Sequence, residues 1–169
     1  MRQNFIGIEF IEVNFAVLGN VDAGKSTLVG VLTQNCLDDG KGSARHSVLV
    51  LPHEKSTGRT SSISINVLGF TAEGKAVDSN ISARKNLNYL HEISLHSSKI
   101  VNFIDLAGHE KYLKTTIAGF TGYELNGSII VVGSNSGAIG TFKVISQLKF
   151  AKSFVAYNCT VSLSLKIVF

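Results

Sequence analysis

The sequence predicts an α/β fold in which a mostly parallel sheet carries helices on both faces. Three observations lead there. Apolar runs of strand length, Val13–Leu18, Ile100–Ile104 and Ser128–Val132, alternate with stretches whose apolar residues recur every three or four positions. The first run feeds into Gly19-Asn20-Val21-Asp22-Ala23-Gly24-Lys25-Ser26, a glycine-framed turn of the pattern G-x-x-x-x-G-K-[ST]. The second run ends in Asp105-Leu106-Ala107-Gly108, a carboxylate and a glycine at the C-terminal end of a buried strand.

Bulk properties set the bounds. A chain of 169 residues has room for one domain with a real core. It is 44% hydrophobic and only 17% charged, a globular composition. The net charge is +4, but the basic residues are scattered with no run of four, so a solvated surface is expected and DNA is not an expected partner. Cys36 and Cys159 are far apart and have no His at metal spacing, which fits reduced thiols. His91 and His96, five apart, fall on different faces of a helix and make a poor metal pair. The N-terminus has no uninterrupted apolar core or small-residue cleavage site, and no apolar run approaches membrane-spanning length. A cytoplasmic enzyme or switch, without a membrane partner, is the expected class.

Taken in order, residues 1–12 form an apolar lead-in, a candidate extension of the first strand at 13–18. Only Asn14 interrupts that strand, as suits one buried on both faces. A helix follows from Lys25, with Leu28 and Leu32 expected against the sheet. Asp38-Asp39-Gly40-Lys41-Gly42 ends it, and residues 43–60 read as a long loop without regular structure, a type usually functional. Ile63, Ile65 and Val67 alternate with Ser64 and Asn66, the pattern of an edge strand, and Glu73-Gly74-Lys75 marks a turn. A helix is expected around Leu87, Leu90 and Ile93, and another under Leu113, Ile117 and Phe120. Beyond the strand at 128–132, Val144, Leu148 and Ala151 mark a helix, Phe154-Val155-Ala156-Tyr157 reads as a strand, and after it Val161, Leu163, Leu165, Ile167 and Phe169 alternate with Ser162, Ser164 and Lys166.

The glycine-framed turn has a specific chemistry. Gly19 and Gly24 allow successive backbone N–H groups to turn inward around an anion, and the positive end of the following helix points at the same place. The motif assigns Lys25 to the β- and γ-phosphates of a nucleotide and the Ser26 hydroxyl to Mg²⁺. Strand ends converge in such a sheet, so Asp105 would come near Ser26 and hold the Mg²⁺ shell, while the Gly108 amide would contact the γ-phosphate. Thr60, in the long connection, is the third element: its hydroxyl would complete the metal shell, so that the loop orders only while the γ-phosphate is present. From spacing alone Thr60 is equally an ordinary loop threonine. These features together point to the P-loop NTPase fold.

With these pieces in place, the chain resembles the GTP-binding (G) domain of translation-factor GTPases, relatives of elongation factor Tu. Gly-Asn-Val-Asp-Ala-Gly-Lys-Ser-Thr at 19–27 and Asp-Leu-Ala-Gly-His-Glu at 105–110 carry the resemblance. Gly58-Arg59-Thr60-Ser61-Ser62, residues 110–116 and Gly133-Ser134-Asn135-Ser136-Gly137 narrow it to a eukaryotic subfamily, GTP-binding proteins 1 and 2. The resemblance covers about residues 13–140. It implies binding of GTP and GDP with Mg²⁺, slow hydrolysis, and stimulation by the ribosome, with tRNA or RNA-decay machinery as further partners. It also implies that Thr60 is the switch threonine, that His109 orients the attacking water, and that Asp22 is the family's phosphate-loop aspartate. Without the resemblance His109 is only a polar residue after a glycine.

The departures are as definite as the matches. The family reads guanine with an Asn/Thr-Lys-x-Asp word after the fifth strand, and no such word occurs in the 169 residues. The nearest positional candidate, Leu165-Lys166-Ile167-Val168, keeps only the lysine. From residue 141 the resemblance fades into a divergent tail, so the expectation is a partial G domain at 13–169, incomplete at its C-terminus. Two other readings follow: a nucleotide-binding module that neither selects guanine nor turns over, and an unrelated P-loop ATPase.

Overall fold

The computed structural model describes residues 2–5, 8–77 and 87–133. Within them the order is β1 (Arg2–Phe5), β2 (Ile8–Gly19), α1 (Lys25–Gln34), a 3-10 turn (Ala44–Ser47), α2 (Pro52–Thr57) and β3 (Ser64–Phe70). Then come α3 (Leu87–His96), β4 (Lys99–Asp105), a second 3-10 turn (Glu110–Tyr112), α4 (Leu113–Gly122) and β5 (Gly127–Val131).

β2 is the spine of the sheet. It pairs in parallel with β4 on one side, Val17 opposite Asp105, and with β5 on the other, Gly19 opposite Val131. The parallel trio therefore ends together, which brings the residues following β2 and β4 to one edge. β3 lies antiparallel on the outer edge of β4, as the alternation predicts for an edge strand. The Glu73-Gly74-Lys75 turn is present, with the Thr71 N–H donating to Lys75 O at 2.9 Å. The lead-in extends the first strand back to Ile8, and β1 folds onto it antiparallel.

The two faces of the sheet are both covered. On one, Val17, Phe103, Ile129 and Val131 pack with Ala23, Val29 of α1 and Val48. On the other, Ala16, Leu18, Ile104 and Ile130 pack with Leu106, and farther along Phe10 and Ile100 receive Tyr89 and Ile93 of α3. α4 joins this second face, where Gly119 stands against Leu106 and Ile63. Full burial of an aliphatic side chain is worth about 1.5–3 kcal/mol, so these layers hold the strand ends rigidly beneath the site.

Two expectations are corrected. The inward stripe of α1 is Lys25, Val29, Gly30 and Thr33, whereas Leu32 is exposed. Gly30 is buried because the 3-10 turn closes on it, and a Cβ there would collide with the Ala44 carbonyl. The connection at 43–60 is not structureless either: it contains the 3-10 turn and α2, with Pro52 at the start of α2, where its fixed φ suits a helix. The helix expected around Val144 and the tail strand lie outside the described residues, as does the Leu165-Lys166 candidate.

Candidate functional site

β2 delivers the phosphate loop. Gly19 has φ +152°, and a Cβ on it would run into the Val131 carbonyl of β5, so the close approach of the two strands requires glycine. Gly24 caps α1 at φ +89° with no side-chain cap, leaving the first-turn N–H groups of α1 to face the cleft. Asp22 also adopts a left-handed φ, 58°, which few side chains tolerate.

Lys25 is buried, and its Nζ donates to Gly19 O at 3.1 Å and Asn20 O at 2.8 Å. The ammonium thus lies folded along the inside of the loop. Burial pushes its pKa below the usual lysine range, opposed by the carboxylates of Asp105 and Asp22. Gly108 closes the same corner: a Cβ there would strike Lys25 Nζ and stand 2.8 Å from Gly19 O.

The three oxygens that the sequence assigns to a metal meet. Ser26 Oγ donates to Asp105 Oδ2 at 2.6 Å and lies 2.7 Å from Thr60 Oγ1, which in turn lies 3.3 Å from Asp105 Oδ2. Ser26 gives its one proton to Asp105, and the single proton of Thr60 is shared between Asp105 Oδ2 and Ser26 Oγ. Asp105 is fully buried, and its Oδ1 has no hydrogen-bond partner among the described residues. Burial pushes the Asp105 carboxyl upward, opposed by the Ser26 hydrogen bond, the Lys25 charge and Thr60. A buried carboxylate oxygen without a donor beside two hydroxyls is a hard-oxygen set of the kind that Mg²⁺ takes.

His109 is exposed on the cleft wall. Its Nδ1 accepts the Lys111 N–H at 3.0 Å, which assigns the proton of the neutral ring to Nε2. Its ring meets Tyr112 edge to face at 6.1 Å. The cleft encloses about 630 Å³ and is lined by phosphate-loop residues between Val21 and Ser26, by Asp38 and Gly40 to Gly42, by residues 57–61, and by Gly108, His109, Lys111 and Tyr112. Thr27 lines it as well.

Three participants were not singled out from sequence. Glu54 of α2 is 1% exposed, and its two oxygens accept from both ends of the connecting segment. Oε2 takes the Val50 and Leu51 N–H groups at 3.2 and 3.0 Å; Oε1 takes the N–H and hydroxyl of Ser61 and of Ser62 at 2.7–2.9 Å. Burial alone would lift this carboxyl, but the donations from Ser61, Leu51 and Ser62 outweigh it and bring the pKa down to about 2. The available signal was Pro52-x-Glu54, a first-turn proline followed by an acidic N3 residue. Arg59 pairs with Asp22 at 3.0 Å across the mouth of the cleft, and Arg45 lines it between Gly42 and Gly58.

With this geometry in view, residues 12–157 match the elongation factor Tu GTP binding domain family. The chain belongs to that family. It is 50% identical over 135 residues to GTP-binding protein 1 of Xenopus laevis, covering 80% of this chain and 20% of that protein. It is 49% identical over 133 residues to GTP-binding protein 2 of Mus musculus and of Homo sapiens, covering 79% of this chain and 21% of each. The crystal structure of a bacterial selenocysteine-specific elongation factor, EF-Sec, superposes with a TM-score of 0.58 at 26% identity, over 92% of this chain and 20% of that one. This elongation factor Tu-type domain therefore spans about a fifth of the length of the relatives it matches. The expected fold and the expected kinship with GTP-binding proteins 1 and 2 both hold.

Proposed function

We propose that this domain binds GTP and GDP and hydrolyses GTP as a translation-factor-like guanine-nucleotide switch. One observation carries the reading: Ser26, Thr60 and Asp105, drawn from three separate parts of the chain, lie within 3.3 Å of one another beside the Lys25 ammonium. Residues Gly19 to Thr27 cradle the phosphates through backbone N–H groups, and Lys25 neutralises charge on the β- and γ-phosphates. Ser26, Thr60 and Asp105 would hold Mg²⁺, which would supply positive charge to offset that of the phosphates. Gly108 lets its own backbone approach the terminal phosphate. His109, whose Nε2–H is left free of the Lys111 contact, orients the attacking water. That is a positioning and electrostatic role, not strong base catalysis. Kinship with translation factors supports the ribosome as stimulator, with tRNA or RNA-decay machinery as alternatives, and a cytoplasmic site of action.

Titrating the chain with fluorescent GTP, GDP and ATP in Mg²⁺ tests the reading. Binding of both guanine nucleotides well above ATP is expected, together with slow phosphate release that His109→Ala abolishes. The lack of an Asn/Thr-Lys-x-Asp word favours a second reading, a phosphate-binding module without guanine selectivity or turnover. Equal affinity for ATP and GTP, with no phosphate released, would establish that reading and remove the first.

A further inference from the structure

The hydroxyl of Thr60 can serve the site only if something holds the loop that carries it. Thr60 follows α2 across Gly58, a left-handed C-cap at φ +69° whose N–H donates to Glu54 O at 2.7 Å. It is followed by Ser61 and Ser62. Both give their N–H and their hydroxyl to one oxygen of Glu54, at 2.7–2.9 Å. The other oxygen takes the Val50 and Leu51 N–H groups at the start of α2. Glu54 therefore ties the entry and the exit of the segment to a single point. His53 adds a contact from its Nε2 to Ser61 Oγ at 2.8 Å.

We infer that Glu54 is the positioning residue of the switch loop: its buried carboxylate presets Ser61 and Ser62 so that Thr60 is presented to Ser26 and Asp105. The inference rests on the proposed function for its consequence, but the staple itself does not. Here the closed arrangement has its own internal support, so the terminal phosphate has less ordering entropy to offset when it binds. Glu54 makes no hydrogen bond to the three oxygens; it positions Thr60 through Ser61 and Ser62, and its charge adds a minor upward push on the Asp105 carboxyl.

Glu54→Gln tests this in the full chain, because a carboxamide keeps the size but replaces one acceptor with a donor that faces other donors. Without nucleotide, hydrogen exchange at the Ser61 and Ser62 amides is expected to quicken about tenfold or more, the size of one lost hydrogen bond to a charged acceptor. With nucleotide, affinity for a non-hydrolysable GTP analogue should fall about tenfold while GDP affinity stays within about twofold, since only the triphosphate needs Thr60. Unchanged exchange at Ser61 and Ser62, or equal weakening of both nucleotides with a lowered melting temperature, would overturn the positioning role. Should Glu54→Gln fail to fold, the Ser61→Ala/Ser62→Ala double variant decides. It removes two hydroxyl donors and leaves the amides, so a smaller loss of the same selective kind is expected. A wild-type GTP-to-GDP ratio there overturns the inference. If the unaltered chain binds neither nucleotide, the functional reading fails, and the exchange measurement still shows whether Glu54 holds the loop.

Discussion

On one wall of the cleft, residues 19–26 keep their shape through backbone sterics. On the other, residues 50–62 keep theirs through a single buried carboxylate. Gly19 is pressed against the Val131 carbonyl and Gly24 stands at φ +89°, so that side chains at these positions would destroy the loop directly. Glu54 instead collects N–H and hydroxyl donors from four residues around it. The first wall is set by the backbone angles and close approaches of its glycines. The second can be loosened by protonating one group, which is what a segment that must respond to a ligand requires. Each prediction below attacks one wall or the contact between them.

The largest effect is expected on the first wall. Lys25 is buried with its amine against two carbonyls, inside the loop itself. Lys25→Ala should weaken GDP and GTP alike by about 100-fold or more, as when one partner of a buried charge pair is truncated. Fluorescence titration measures this directly. If affinity barely moves, the phosphates do not lie where the loop is assigned.

The responsive wall predicts an acid transition. Glu54 is depressed to about 2 from 4.5, so its contribution to stability is complete above 4.5 and is lost as the pH falls toward 2. The full contribution is about 3 kcal/mol. Denaturant unfolding at a series of pH values should show the native chain losing most of this between pH 4.5 and 2. Glu54→Gln should start lower and lack that slope. Parallel curves for the two proteins would mean that the carboxylate is not held by its donors.

This contrast also explains what could be read in advance. The phosphate loop was legible because its physics is local: eight consecutive residues specify both the turn and its chemistry. Asp105 was legible because a buried apolar run that ends in Asp-x-x-Gly sets a strand end by pattern alone. Asp105 meets the loop through the parallel pairing of β2 and β4, and Thr60 reaches both through the antiparallel pairing of β3 with β4, Ser64 opposite Asp105. Glu54 was not legible, because an acidic residue within Pro-His-Glu-Lys-Ser-Thr looks like any solvated helix start. Its burial depends on the loop folding back over it. Leu32 failed for the opposite reason: it is apolar and helical in spacing, but the 3-10 turn at Ala44 claims the neighbouring Gly30 face instead. The site's backbone chemistry lies in the sequence, and its side-chain scaffolding lies in the tertiary structure.

The smallest effect belongs to the contact between the walls. Arg59 and Asp22 join them at 3.0 Å, yet both side chains are more than half exposed, at 58% and 59%. An ion pair so open to water is worth at most about 1 kcal/mol and weakens with salt. Arg59→Ala should therefore leave thermal stability nearly unchanged. What it should alter is the rate at which the cleft opens, because the pair lies across the mouth and not beneath it. Stopped-flow displacement of a fluorescent GTP analogue should show release rising by no more than about fivefold at low salt, with the difference vanishing as salt is raised. Asp22→Ala should match it, and the double variant should add nothing further if the two act only on each other. A loss far beyond fivefold that persists at high salt would instead mean that Arg59 contacts the nucleotide itself, and that the flexible wall contributes charge as well as the threonine hydroxyl.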